Sequence, residues 1–405
     1  MGVLRVRFWV LGVMANVTAT TGIDNFNGTS GTTSSADQIS VSNQNQIQST
    51  DLFNGGGGTD TLRLTAMSID FTSMVNGASS GIKNMEVVRF NGAYTATFRA
   101  DQFGAGLISN SVQMFGAAGV QAVVVNMSTA GMFSMQSWTF NTWTNGTDTI
   151  TVNGSSGNDT VIFSSAPTVF DGGAGSDTID YSVWSGAFTV TLNGNNWVNV
   201  DWGAGFIDTI RNVENIVGSI GNDTITGDAA NNSLSGAAGN DVLNGGAGND
   251  ILNGGVGTDI LTGGAGNDTL TGGTDADQFV YDAHTITAQA DAVTDFSVAQ
   301  GDVIVLGAAG PASWAVLQQH LLFADGASNA YLAGKWNGTD QTLTLSGINI
   351  GTLSAAQFVF DTSATARNIT GTANEDRIFG GLGNDTITAG GGHDRIFGDA
   401  GDDLI

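Results

Sequence analysis

Polar and apolar positions along the chain follow two rhythms. Across residues 23–143, short apolar runs such as the one around Val123 alternate with Ser, Thr and Asn. That pattern predicts many short strands in a loose solenoid. From Gly218 a stricter rhythm takes over. The chain reads GSIGNDTIT, GDAANNSLS, GAAGNDVLN, GGAGNDILN, GGVGTDILT, GGAGNDTLT and GGTDADQFV, seven units in nine-residue phase ending at Val280. The eighth position is always a sizeable apolar residue: Ile225, Leu234, Leu243, Leu252, Leu261, Leu270 and Phe279. A second array opens at Gly371 with GTANEDRIF, GGLGNDTIT, AGGGHDRIF and GDAGDDLI. Isolated copies begin at Gly55, Gly154 and Gly172.

One unit carries its own structural logic. Glycine at positions 1, 2 and 4 permits positive φ and close backbone approach, so the first six residues make a tight turn. The last three make a short strand with position 8 inward and positions 7 and 9 outward. Two units then complete a coil, and stacked coils build parallel sheets on two faces. Between the arrays, AVTDFSVAQGDVIVL and LTLSGINIGTLSAAQFVF read as strands, and SWAVLQQHLLF (313–323) is apolar at helical spacing. The chain therefore divides into an N-terminal leader or mis-assigned start (1–22), a β-rich region (23–143), a degenerate repeat extension (144–217), a seven-unit roll (218–280), a β-rich cap with a short helix (281–362) and a second roll (363–405). The fold class is all-β: a parallel β-roll or β-solenoid with β-rich flanks and one short helix.

Charge changes the picture most. The acids number 37 against 11 basic residues, for a net charge of -26, and only Glu86, Glu214 and Glu375 are Glu. So acidic a chain lacks the basic surface that nucleic acid or an anionic membrane requires. No apolar run is long enough to span a membrane as a helix. With no cysteine there is no disulfide, thiolate zinc site or cysteine nucleophile. Position 6 collects the aspartates: Asp223, Asp241, Asp250, Asp259, Asp268 and Asp277 in the first array, with Asn232 in its second unit, and Asp376, Asp385, Asp394 and Asp403 in the second. Residues 218–280 hold eight Asp and no Lys, Arg or Glu. Stacked turns would set like charges a few ångströms apart. One buried side chain per unit is little recompense for ordering its whole backbone. A divalent cation between turns answers both problems, because its binding energy becomes folding energy. The donors on offer are carboxylate and carbonyl oxygens, which suit Ca²⁺ better than Mg²⁺, Zn²⁺ or Cu²⁺.

GGAGNDILN and GGAGNDTLT resemble the nonapeptide G-G-x-G-x-D-x-U-x of the RTX, or haemolysin-type calcium-binding, family. The resemblance implies a right-handed parallel β-roll with calcium held between turns two units apart. The earlier turn would give carbonyls of positions 2 and 4 with its Asp, and the later turn carbonyls of positions 1 and 3 with its own. Carried over, one site comprises Ala237, Gly239, Asp241, Gly254, Val256 and Asp259. A second comprises Gly246, Gly248, Asp250, Gly263, Ala265 and Asp268, and a third Gly255, Gly257, Asp259, Gly272, Thr274 and Asp277. In the second array Gly381, Gly383, Asp385, Gly398, Ala400 and Asp403 fit likewise. Asn232 weakens the site shared by the units at 227 and 245, and Thr274 and Asp275 break the glycine pattern where the roll ends. The lone copies at Asp60, Asp159 and Asp177 lack a stacked repeat partner.

No catalytic motif stands out. The only histidines are His284, His320 and His393, without the H-E-x-x-H spacing of a zinc protease. Residues 77–81 read GASSG, which fits a nucleophile elbow around Ser79 in letters only, since neither an apolar strand before it nor a helix after it is indicated. The N-terminal MGVLRVRFWVLGVMA is a marginal signal peptide, and a start at Met14 is the favoured reading. Because the second array stops one residue short of a unit, a C-terminal segment carrying a type I secretion signal is expected beyond Ile405. The functional expectation is a secreted calcium-binding repeat protein, not an enzyme, that folds on meeting Ca²⁺ outside the cell and serves a structural, cell-surface or adhesin role. Two other readings are a secreted hydrolase with its catalytic part in 23–143 or in a missing tail, and an ice-binding solenoid.

Overall fold

The computed structural model describes residues 7–8, 16–18, 25–27, 38–41, 52–54, 59–65, 69–74, 81–104, 107–144, 147–202, 207–281, 289–306, 313, 317–318, 322–324, 329–336, 339–360 and 364–405. The chain forms two compact units, Met1–Asp180 with Asn195–Val213, and Tyr181–Gly194 with Glu214–Ile405.

In the first unit short strands stack in parallel. One series runs through Ile69–Asp70, Thr95–Arg99, Ala122–Asn126, Thr149–Asn153, Thr168–Asp171 and Ile207–Arg211. Another runs through Asn16–Thr18, Gln38–Val41, Thr61–Leu64, Met85–Phe90, Ile108–Phe115 and Thr139–Asn141. Val124 pairs with Thr97 on one side and Thr151 on the other, so a coil here is half as long again as a coil of two repeats. The next step, where Ile150 pairs with Thr168, shortens to the two-repeat length. The wider coils have room for large side chains. Phe98 stacks on Phe71 at 5.0 Å between ring centroids, and Phe103 meets Phe98, Phe133 and Trp138 edge-on or tilted.

The second unit holds both arrays. The strands Thr224–Thr226, Val242–Ala247, Ile260–Ala265 and Gln278–Tyr281 pair in parallel on one face, and Asn215–Val217, Ser233–Ala238, Ile251–Val256 and Thr269–Thr274 on the other. Each step again spans two repeats, as Ile225 to Leu243 to Leu261 shows. All seven position-8 side chains are buried, from Ile225 to Phe279. Period-2 alternation therefore lines the roll with one apolar column per face. Five strands run beyond the expected short segment: Ser233–Ala238, Val242–Ala247, Ile251–Val256, Ile260–Ala265 and Thr269–Thr274 each continue through the glycines to position 3. Identical turns on successive coils can keep their backbones in register, so the ladder does not stop at the turn.

The segment after the roll first extends it. Val293 follows Leu270 in one column and Ile304 follows Phe279 in the other. Parallel pairing carries on from Gln289–Val293 to Thr339–Leu345 and from Val303–Leu306 to Phe358–Val359, and antiparallel pairing is added beside it, where Ala330–Trp336 pairs with both Thr339–Leu345 and Leu322–Ala324. The helix expected at 313–323 lies largely outside the described residues. Leu317 and Gln318 are helical, and the Leu317 N–H donates to the Ser313 carbonyl at 3.0 Å. Leu322–Ala324 is a strand, so the helix does not reach 323. There, pairing with a neighbouring strand outweighs the helical spacing of the apolar residues. In the second array Asn368–Thr370 pairs with Thr386–Thr388 and Arg377–Phe379 with Arg395–Phe397. Ile378 and Ile387 are buried there, packed by Ile369 and Ile396.

Leu252 sits fully buried mid-column between Leu234 and Leu270. Truncating it by Leu252→Ala leaves a cavity that rigid backbone ladders cannot close. The calcium-loaded chain should lose about 2–5 kcal/mol, read by denaturant melting.

Candidate metal centre

The turns are positioned by one recurring hydrogen bond. The backbone N–H at position 6 donates to the Oδ1 of the aspartate two units later. Asp223 donates to Asp241 at 2.7 Å, Asp241 to Asp259 at 2.8 Å, Asp250 to Asp268 at 2.8 Å and Asp259 to Asp277 at 3.0 Å. Asn232 donates to Asp250, Asp376 to Asp394 and Asp385 to Asp403 in the same way, and so does Asp159 to Asp177 at 2.7 Å, so these two isolated copies stack on each other, contrary to the expectation that each lacks a partner. One oxygen of each acceptor carboxylate is thus structural, a role that the charge argument did not foresee.

The other oxygen is different. Oδ2 of Asp241, Asp250, Asp259, Asp268, Asp277 and Asp385 is buried and accepts no hydrogen bond. A buried carboxylate oxygen left so is costly, and in native proteins it calls for a partner of another kind. Carbonyl oxygens crowd the same place. A β-carbon built on Gly236 would lie 2.2 Å from Asp241 Oδ2 and 2.6 Å from the Gly254 carbonyl. Built on Gly245, it would lie 2.3 Å from Asp250 Oδ2 and 2.4 Å from the Gly263 carbonyl. Built on Gly254, it would lie 2.3 Å from Asp259 Oδ2 and 2.6 Å from the Gly272 carbonyl. On Gly380 the neighbours are Asp385 Oδ2 and the Gly398 carbonyl. The structure therefore brings each earlier-turn aspartate to the position-1 carbonyl of the later turn, in all four residue sets inferred above.

The remaining members of those sets fall into place unevenly. Carbonyls of Ala237, Gly246 and Gly255 at position 2, and of Gly239 and Gly248 at position 4, stack beneath the matching glycines of the next coil. Any side chain there would strike them, which explains glycine at both positions. Position-3 carbonyls are already engaged: Val256 accepts from Gly239 N–H at 2.8 Å, Ala265 from Gly248 at 2.8 Å and Thr274 from Gly257 at 3.3 Å. Gly381 carbonyl accepts from the Ala400 N–H at 2.9 Å. Each carbonyl keeps a second lone pair. Among the described residues no group of three Asp, Glu or His side chains gathers around one point. A cation here draws on main-chain carbonyls as well as aspartate, the donor set of a hard oxygen-loving ion.

Asp223 and Asp376 behave otherwise. Asp223 Oδ2 accepts from Ser219 N–H at 2.7 Å and its Oδ1 from Phe188 N–H at 2.9 Å. Asp376 Oδ2 accepts from the N–H and hydroxyl of Thr372. Asn232 is satisfied too, accepting from Asp228 N–H and donating to the Glu214 carbonyl. His393 is exposed, while His284, His320 and Ser79 lie outside the described residues.

Further ladder residues escaped the sequence reading. Asp268 N–H donates to Asp291 Oδ1 and Asp277 N–H to Asp302 Oδ1, both at 3.0 Å, while Asp295 takes the N–H groups of Gly272 and Gly273. A signal was present for two of them. Asp291-Ala292-Val293 and Asp302-Val303-Ile304 keep the aspartate two places before an inward apolar residue, without the glycine turn. Asp148 and Asp208 share that spacing and accept from Gln121 and Thr168.

The family model described as "RTX calcium-binding nonapeptide repeat (4 copies)" matches residues 217–252, 253–283 and 370–405. These residues are RTX calcium-binding nonapeptide repeats. RTX repeats bind Ca²⁺, and the nearly all-β chain with its stacked parallel strands is a β-roll of that kind. No curated protein matches the chain. Two solved structures are similar to parts of it. The extracellular lipase LipA of Serratia marcescens shares 17% identity over 60% of this chain and 40% of its own, with a TM-score of 0.22. This chain thus spans well under half of the lipase. The AlgE6R3 subunit of the Azotobacter vinelandii mannuronan C5-epimerase shares 30% identity over 36% of this chain and 83% of its own, with a TM-score of 0.21. Among the described residues no helix is long and apolar enough to cross a membrane.

Burial of the RTX aspartates has an electrostatic consequence. Without metal, desolvation raises the pKa of Asp241 and Asp277 to about 7 and that of Asp250 to about 6, with neighbouring carboxylates adding to the rise. Asp259 and Asp268 are raised for the same first reason. The folded metal-free roll holds protons that the unfolded chain, with ordinary Asp near 4, releases. Its stability is present below about pH 4 and is lost as pH rises through about 6–7. In EDTA the melting temperature should therefore fall between about pH 4.5 and pH 7.5. With calcium present this fall should vanish or reverse, as the metal takes the place of the proton. Thermal melts at both pH values in both conditions check it.

Proposed function

We propose that this RTX protein is an extracellular scaffold whose roll folds when calcium fills its stacked turns. The observation that carries the reading is the row of buried, unpartnered Oδ2 atoms at Asp241, Asp250, Asp259, Asp268 and Asp277, each tied through Oδ1 to the coil before it. The earlier-turn aspartate and the position-1 carbonyl beside it supply the core of each site. The carbonyls of positions 2, 3 and 4 and the later-turn aspartate complete it, in the sets built on Asp241 with Asp259, Asp250 with Asp268, Asp259 with Asp277, and Asp385 with Asp403. Calcium neutralises carboxylates that otherwise face one another across a few ångströms in a dry setting.

The same chemistry makes a switch. Extracellular modules of this type bind calcium at about 10⁻⁴–10⁻³ M, far above cytosolic levels. Inside the cell the arrays stay open and suited to type I export, and outside, mass action folds them. RTX repeat proteins are typically extracellular, which agrees with this order of events. A structural, surface or adhesin role follows from a solenoid that carries no catalytic constellation in its repeats. The outward column of one face runs Thr224, Val242, Ile260 and Gln278. So mixed a row offers no regular hydroxyl lattice to ice.

Circular dichroism of the full chain tests the reading. Strand signal at neutral pH should be lower in EDTA than in millimolar calcium, and magnesium should not replace calcium. A spectrum and melting temperature indifferent to calcium would sink the proposal.

A further inference from the structure

The turns of this chain are of two kinds, set apart by the backbone at position 2. Gly246, Gly255, Gly264, Gly273 and Gly381 all have φ between 96° and 108°, and Ala237 joins them at 70°. In these turns the position-2 N–H does not reach the aspartate of its own unit, and Oδ2 of Asp241, Asp250, Asp259, Asp268, Asp277 and Asp385 is left without a donor. The other kind has Ser155, Ser219, Asp228 or Thr372 at position 2, none with positive φ. There the position-2 N–H donates straight into the position-6 side chain. The distances are 2.6 Å from Ser155 to Asp159, 2.7 Å from Ser219 to Asp223, 2.8 Å from Asp228 to Asn232 and 2.6 Å from Thr372 to Asp376. Thr144 closes on Asp148 at the same spacing, also at 2.6 Å.

The side chain at position 2 does a second job. Ser155, Ser219, Asp228 and Thr372 each accept the N–H of position 4, at 2.8–3.2 Å. Glycine cannot do this. In the open turns that position-4 N–H goes instead to the next coil, as from Gly239 to Val256 and from Gly248 to Ala265. A closed turn thus satisfies its own polar groups locally, and an open turn relies on its neighbours and on something at Oδ2.

Resting on the calcium reading above, we propose that calcium enters only the open turns, and that the closed turns at Asp148, Asp159, Asp223, Asn232 and Asp376 are metal-free and fold without it. The N–H that points at the carboxylate carries its positive end where the cation would sit, so the two exclude each other. Asp223 and Asp376, which share the position-6 spacing, are then structural acceptors and not ligands. The switch then covers the Ala237–Asp277 stretch and the turns of Asp385, Asp394 and Asp403, whose second residues Gly381, Gly390 and Asp399 all have positive φ, and the Asp177 turn shares this backbone through Gly173 at 96°. The Ser219 and Asp228 turns form a calcium-independent entry on which the roll can grow.

Hydrogen–deuterium exchange of the full chain, in EDTA and in millimolar calcium, decides this. The amides of Thr144, Ser155 and Ser219 should keep their protection in both conditions. Those of Asp241, Asp250, Asp259 and Asp268 should exchange at least about 100-fold faster in EDTA. Calcium dependence of equal size in both sets overturns this assignment alone. Indifference of both sets to calcium overturns the calcium reading and this assignment with it.

Discussion

Everything in the roll depends on one hydrogen bond, from a backbone N–H just before a strand to a carboxylate on the next coil. It occurs where the chain leaves a turn and commits to a strand, so it sets the phase of the strand as well as the height of the coil. It also orients the carboxylate, because with Oδ1 held by the earlier coil, Oδ2 has one direction left to face. Asp fills this place throughout the roll, since the shorter side chain reaches the neighbouring coil with one torsion fewer to fix, while in the first unit Glu86 makes the same bond, accepting from the Asp60 N–H at 2.8 Å.

That bond separates two duties that a carboxylate usually mixes. The structural duty needs only Oδ1 and is performed at Asp148, Asp208, Asp291 and Asp302 as well as in the RTX units. The metal duty needs Oδ2 buried, ionised and unclaimed, which burial opposes by raising the pKa. A closed turn such as Ser219–Asp223 avoids the conflict with its own N–H. An open turn keeps the conflict unresolved until calcium arrives, which makes it responsive.

Much of this was legible in the residues. The nine-residue phase, the inward column from Ile225 to Phe279 and the aspartates at position 6 could all be read directly, because period and residue type are local properties. Other features were hidden. The ladder's continuation through Asp291 and Asp302 lost its glycine signature and kept only an aspartate two places before a buried aliphatic residue. The lengthened strands arise from turns stacked on identical turns, which one unit alone does not reveal. The helix near 313–323 gave way at Leu322–Ala324, where an antiparallel partner claims the backbone.

By itself the sequence determined the coil length, the inward side chains, the choice of oxygen ligands and hence the metal, since each follows from residue type at a repeating interval. Only the tertiary structure decided which aspartate oxygens are spent and which are free. That depends on the sign of φ at position 2 and on a donor from a different coil. Both are settled when turns stack, and Asp223 and Asp241, alike in their own units, end with opposite roles for that reason.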